Sequence, residues 1–504
     1  MPGTTYATID KFDYGVMALR TTTALNRFGY GARLGDRAPS DSAGWLKAQF
    51  NQFQVRPAAF NRLASRDQIA DAIVTYRDFT RTPEGEAALG ERREASEAAK
   101  QAAPGRASHG ATERLMHKDA SLSKLDGYDF AKQQNAMQII ARIQSAVETN
   151  APFVERMVHF WANHFAVSAD KHPMIGFAGL MEFEAIRPHV LGSFEDMLIA
   201  VEQHPAMLFY LDQPQSIGRG SPLVKRSSKR AGNVPGLNEN LAREILELHT
   251  LGVRSGYSQA DIIAFAQALT GWGVSGISQK TDGANGRFGF TAARHEPGTR
   301  TFMNKTYSQS GEDQALAILR DVAASRATAT HLATKMARHF MGDDPAPALV
   351  ARLANSFQQS GGHLPTVYRT LIDAPEPEGG GKFKSPWDWT ISTLRAIGKM
   401  PDPTDRTFER TLRLHGQPVW RPGSPNGFGD LDADWASPNA LTQRLETASH
   451  WSVGMKSAID ARMLARTLFP DQPLSDDTSE VISGADSAGQ AVSLLLVSPE
   501  FLRR

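Results

Sequence analysis

The chain has 504 residues, 41% of them hydrophobic, with 55 Lys+Arg against 54 Asp+Glu and no cysteine. That length allows roughly two to four domain-sized units or one large helical body, and the charge balance excludes a global field for nucleic acid or an anionic membrane. Without cysteine there is no disulfide, thiolate zinc site or cysteine nucleophile.

Residues 1–14 carry acids and no apolar run, so no secretory signal is expected. No stretch approaches about 18 apolar residues, so no span of a membrane is expected either. As encoded, the chain reads as soluble and cytoplasmic. Residues 15–55 read as a helix, a Gly-punctuated turn at Gly29 and Gly31, and a second helix over 42–53 with Trp45 and Leu46. Residues 84–113 are rich in Ala, Glu and Arg and predict a solvated helix leading into a loop at Pro104-Gly105. The expected segments are 1–125, 126–375 and 376–504: N-terminal helices with this charged arm, a central core, and C-terminal helices.

From Leu125 the core resumes, with helices over 133–149 and 152–167. In the second, Val154, Met157, Val158, Trp161 and Phe165 share one face and His164 sits at its edge, while His159 lies roughly 140° away. Ser193 opens a helix ending near Gln203, and His204-Pro205 opens a short one. Residues 213–237 form a long loop holding Arg219, Lys225, Arg226, Lys229 and Arg230 and no acid. It reads either as a solvated loop or as a flap for an anionic group.

Residues 238–252 organise the functional reading. Leu241, Ile245 and Leu248 make an apolar stripe, Asn238 is placed as an N-cap, and Gly252 stands where a C-terminal cap wants positive φ. At about 100° per residue, Asn240, Glu244 and Glu247 fall immediately beside that stripe. Carboxylates on the shoulder of a core are costly unless something meets them. Ser258 and Asp261 form a capping box for a helix ending at Gly271. Residues 287–291 alternate, and Pro297-Gly298 turns them back toward 299–302, which predicts one small β-hairpin. Helices follow at 311–325, 328–341, 345–359, 363–373 and 386–399. After a Pro/Gly linker at 376–381 come a loop at 416–438 and helices at 439–449, 458–467 and 488–497. The fold class is all-α with that hairpin as a minor feature.

Glu244, Glu247, His164, His295 and Arg243 are the residue types that acid/base work requires. His164, His204, Glu244 and His295 could instead ligate a divalent metal, with Asn163, Asn240, Asp261 and Trp272 available to a substrate. No His-Glu-x-x-His, Gly-x-Ser-x-Gly or Walker loop is present. Trp387, Trp389, Trp420, Trp435 and Trp451 crowd the last quarter, either as core pins or as stacking faces in a cleft.

Arg27-Phe28-Gly29-Tyr30-Gly31, Phe160-Trp161-Ala162-Asn163-His164-Phe165, His204-Pro205-Ala206-Met207, the Asn238-to-Glu244 string, Leu269-Thr270-Gly271-Trp272 and Lys384-Ser385-Pro386 run in order along the chain. At these residues it resembles the bacterial domain of unknown function 1800 over roughly 15–500, departing at His295-Glu296, where the family usually reads His-Asp. The resemblance implies a mostly helical body and a partnership with a sulfatase-like protein of the domain of unknown function 1501 type, whose members look exported by the twin-arginine route. A chain travelling folded with such a partner would be periplasmic. Three readings result: a hydrolase or lyase acting on an anionic or polymeric substrate, a non-catalytic partner or maturation factor, and a buried ion-pair network without chemistry.

Overall fold

The structure is a computed structural model, and it describes residues 19–101, 124–170, 174–227, 236–278, 283–376, 381–402, 404–453 and 459–504. The expected Pro104-Gly105 loop, residues 1–14, and Lys229 and Arg230 of the basic loop lie outside the described residues. What is described is overwhelmingly helical. Ser65 and Gln68 close a reciprocal capping box at the helix Arg66–Phe79, as Ser258 and Asp261 do at Gln259–Leu269. Ser193 accepts from the Asp196 N–H at the start of Phe194–Glu202. Every helix expected after residue 311 is present, as Glu312–Ala323, Arg326–Met341, Pro347–Gln359, Leu364–Ile372, Pro386–Ala396, Pro438–Val453, Ala461–Leu468 and Ala488–Leu496. The helices Thr407–Leu414 and Asp476–Ser483 are additional.

Two helices carry the interior. All residues of Pro386–Ala396 are buried, and in Pro152–His164 only Ala162 and Asn163 are partly exposed. Such all-round burial marks a central helix. Phe153 packs among Phe28, Phe340 and Tyr368 at ring distances of 5.8, 5.8 and 6.0 Å. Each buried ring of this kind contributes about 2 kcal/mol or more. One apolar cluster runs from Ala24 to Leu502. Among the described residues no helix is long and apolar enough to cross a membrane.

The β structure falls where it was expected but pairs differently. Residues Phe288–Phe290 pair antiparallel with Trp272–Val274, in the register Trp272 to Phe290. Residues Arg300–Phe302 pair with Lys305–Tyr307. Met303 and Asn304, both at positive φ, form the two-residue turn between them. Local closure through that turn satisfies the 300–302 backbone, and Gly273 opposite Gly289 lets the other two strands approach.

The 238–252 stretch is helical but not regular. Residues Asn240–Glu244 are α, and Ile245–His249 widen into a π turn. The extra residue shifts the phase after Glu244 and brings His249 wholly inside. The N-cap position falls to Glu239 rather than to Asn238, whose side chain instead accepts from the Asn240 N–H at 3.0 Å from one residue further out. Gly252 has φ +87°, and its N–H reaches back to the Leu246 carbonyl at 3.0 Å.

Candidate functional site

The side chains gathered by the sequence reading lie in several places. Arg243 sits between Glu239 and Glu247, at 3.2 and 3.4 Å, in a partly exposed ladder along its own helix. Pairs of this type contribute about 0.3–0.5 kcal/mol each. Glu244 is half-buried, and burial raises its carboxyl, partly offset by His249. Asn240 is exposed. His204 caps the helix Pro205–Tyr210 by accepting from the Ala206 N–H, with Nε2 3.7 Å from Glu184. The Nδ1–H of His295 donates to the Thr270 carbonyl at 2.9 Å, while the neighbouring Glu296 accepts from the Gly220 N–H. Asp261 closes its capping box and accepts from the Met303 N–H. Trp272 is buried against Phe288. His164, His204, Glu244 and His295 are therefore not brought together. Among the described residues no group of three or more His, Asp or Glu side chains is placed to hold a metal ion.

A different arrangement surrounds His164 and Asn163. The outer end of Pro152–His164 forms one wall of a cavity of about 300 Å³, closed by Arg326–Met341, by the start of Pro386–Ala396 and by the loop at 417–430. Trp387, Trp420 and Trp435 supply aromatic faces to it, so three of the five C-terminal tryptophans line a cleft. The other two do not: Trp389 and Trp451 stack on each other at 5.7 Å in the core.

The rim is tied to the floor by Asn163. Its carbonyl oxygen accepts from the Phe428 N–H at 2.8 Å, and its amide donates to the Phe428 carbonyl at 3.0 Å. Gly427 is required beside it, because φ is +81° and a β-carbon would collide with the Asn163 backbone oxygen.

Charge in the cavity is uneven. Arg142, Arg156, Lys335, Lys382 and Arg504 line it against Asp388 and Asp430. Asp388 is shared, at 2.8 Å from Arg156 and 2.9 Å from Arg504, with all three side chains buried. Burial alone would raise that carboxyl, but the two guanidinium groups hold it well below the usual carboxylate range. Arg142 meets Glu182 behind the cavity, and Glu182 also accepts from the Trp420 indole. Lys382 reaches Asp343 at 3.1 Å and the Asp430 carbonyl. Among the described residues Lys335 makes no hydrogen bond or ion pair, and burial pushes its ammonium down to about 8.

At the floor, the Tyr30 hydroxyl is 2.6 Å from His159 Nδ1, and the Trp387 indole N–H donates to the same nitrogen at 3.1 Å. An indole can only donate, so Nδ1 is the acceptor and the imidazole proton sits on Nε2. That nitrogen faces Glu155 and Glu182 at 3.6 and 3.8 Å. Burial, then Arg142, Arg187 and Arg156, lowers His159 well below the ordinary histidine value, so the ring is neutral. Burial likewise raises the Tyr30 phenol, with Arg156 over the ring opposing it, so the phenol keeps its proton. The pair is thus a neutral phenol hydrogen-bonded to a neutral imidazole on the cavity lining.

The Nε2–H of His164 donates to the His249 carbonyl at 3.0 Å, and the Nδ1–H of His249 donates to the buried Glu202 at 2.8 Å. The Glu244 helix thus touches the cavity wall through His249 rather than through its carboxylates. Sequence reasoning set aside His159 because it lies off the apolar face, and did not single out Tyr30, Lys335 or Asp388. The available signal was clustering of unpaired residue types around Trp-x-Asn-His and Lys-Ser-Pro, strings far apart in the chain.

No curated protein and no solved structure matches the chain. One family model does, over residues 23–503, which takes in every wall of the cavity except Arg504. The chain belongs to the family described as protein of unknown function (DUF1800).

Proposed function

We propose that the cavity binds the anionic part of a small or chain-end substrate, and that the protein is a hydrolase or lyase acting there. The observation that carries this reading is the Tyr30–His159 pair opening on a cavity where cations outnumber acids. Tyr30 would turn its proton from His159 Nδ1 to a departing oxygen and recover one from water, with neutral His159, its tautomer set by the Trp387 indole, orienting the phenol. The aromatic walls favour rings, and the excess of cations favours a carboxylate, sulfate ester or phosphate ester. The test is a panel of uronate- and sulfate-bearing oligosaccharides, read for new reducing ends or for the ultraviolet absorbance of a new double bond. Tyr30→Phe is expected to keep thermal stabilisation by glucuronate and to lose about 10²–10⁴-fold in turnover. If no anion raises the melting temperature and the panel is inert, the reading is wrong.

A second reading has one observation in its favour. Of the ten large hydrophobic residues that stand exposed among the described ones, seven lie at 400–481: Met400, Leu414, Leu431, Leu441, Leu445, Met463 and Val481. Exposed apolar side chains gathered in one part of a chain suit a protein partner, and the sulfatase-like protein is the candidate. Co-expression should then give a stable complex that Met463→Glu weakens by about tenfold or more, and in that case the chain would work in the partner's compartment. Two independent peaks on size exclusion would rule this out.

A further inference from the structure

Every cation lining the cavity has an acid to meet except Lys335. Arg142 has Glu182, Arg156 and Arg504 share Asp388, and Lys382 has Asp343 and Asp430. Lys335 comes from the helix Arg326–Met341 into the same space as Phe160, His164 and His339, and among the described residues no oxygen lies within hydrogen-bonding reach of its ammonium. Lysines used only to fix charge are normally matched by a carboxylate in direct contact, and this one faces the cavity with Asp430 acting on it only beyond hydrogen-bonding reach. The groups facing it are His164 from the neighbouring helix, His331, Arg338 and His339 from its own, and Asp430 from the loop.

A second feature stands beside it. His339 Nδ1 is 3.2 Å from Asp430, a histidine–carboxylate couple lining the same cavity and able to pass protons. Across the cavity, Arg156 and Arg504 share a single carboxylate, two guanidinium groups in direct contact with one acid. An amine, a proton shuttle and a guanidinium pair within one aromatic-walled space form the set that carbonyl chemistry on a carboxylate-bearing substrate needs.

We propose that Lys335 is a nucleophile that forms an imine with a 2-oxo acid. The neutral amine adds to the ketone carbon, both amine hydrogens depart with the carbonyl oxygen as water, and the C=N bond replaces C=O. No oxidant or reductant is consumed. His339 and Asp430 move the protons, and the substrate carboxylate meets the Arg504 side of the cavity. Desolvation supports the chemistry, because an ammonium pushed down to about 8 supplies free amine near neutral pH. A protonated imine then draws electrons from an adjacent bond, which is a lyase-type reaction. The proposal rests on the cavity being an anion site, and it names the substrate class of that site.

The experiment uses the full chain with pyruvate and sodium cyanoborohydride, which reduces an imine to a stable secondary amine, followed by peptide mass spectrometry. Label at Lys335 is expected to exceed that at exposed lysines by more than about tenfold. Acetaldehyde, which lacks the carboxylate, should not show that preference. Lys335→Arg should still be stabilised by pyruvate in thermal melts while losing the adduct. Pyruvate stabilisation without label at Lys335 overturns the imine and leaves the anion site standing. Absence of both stabilisation and label overturns the two together.

Discussion

Asp388→Ala is expected to lower the stability of the protein by about 3–5 kcal/mol, the cost of removing one partner from a buried ion pair. The carboxylate is 4% exposed and stands between Arg156 and Arg504, whose side chains are 1% and 3% exposed. Taking it away leaves two buried guanidinium groups facing each other without the carboxylate they share. Arg156 keeps the Gly29 carbonyl, so one of its contacts survives, but Arg504 has little else to replace the lost charge. Urea unfolding reads the effect as a fall in midpoint at unchanged slope. Asp388→Asn, which keeps the shape and one acceptor, should fall between the two. A midpoint for the alanine variant equal to wild type would mean that the pair is not buried in solution.

Acid is expected to unfold the protein well before its carboxylates are titrated. His159 and His164 are lowered well below the ordinary histidine value, and His339 is lowered to about 4, burial being the first cause in each. Their folded values lie below the unfolded one of about 6.5, so between these limits the unfolded chain binds more protons. Stability is therefore fully present above about 6.5 and falls as pH drops through that window. Three such groups together remove up to about 4 kcal/mol per pH unit. Below about pH 4 the lowered carboxyls Asp388 and Asp430 add further loss in the same direction. Urea midpoints at pH 7, 6 and 5 should decline, most steeply over the last step. A flat series to pH 5 would contradict the neutral, buried state of these rings.

Local physics in the sequence was enough for much of the fold. Ser258 with Asp261, Ser193 with Asp196 and Gly252 at φ +87° behave as their spacing requires, because caps depend on a few neighbouring residues. The strings around Asn163-His164 and Lys384-Ser385-Pro386 both reach the lining of the cavity, through Asn163, His164 and Ser385. The candidate centre itself was less legible. Whether a half-buried acid such as Glu247 meets a near neighbour or a distant group depends on tertiary packing, and here Arg243, four residues away, takes it. The π turn at Ile245–His249 also breaks the regular 100° step on which the stripe was drawn. Tyr30, His159, Lys335, Asp388 and Arg504 come together only through the fold, and no short window contains two of them. The strand pairing at Phe288–Phe290 was missed for the same reason, since its partner lies upstream at Trp272–Val274.

Asn163 grips both the N–H and the carbonyl of one residue, Phe428, at the rim, and Gly427 beside it takes the left-handed backbone shape that lets it come close. On the proposed function, an aperture bolted in this way would work as a fixed mesh, sorting visitors by girth before charge or chemistry acts on them. The mesh size is then written at residues 163 and 427, far in sequence from the groups that would do the chemistry, so the guest list and the reaction can change independently of each other.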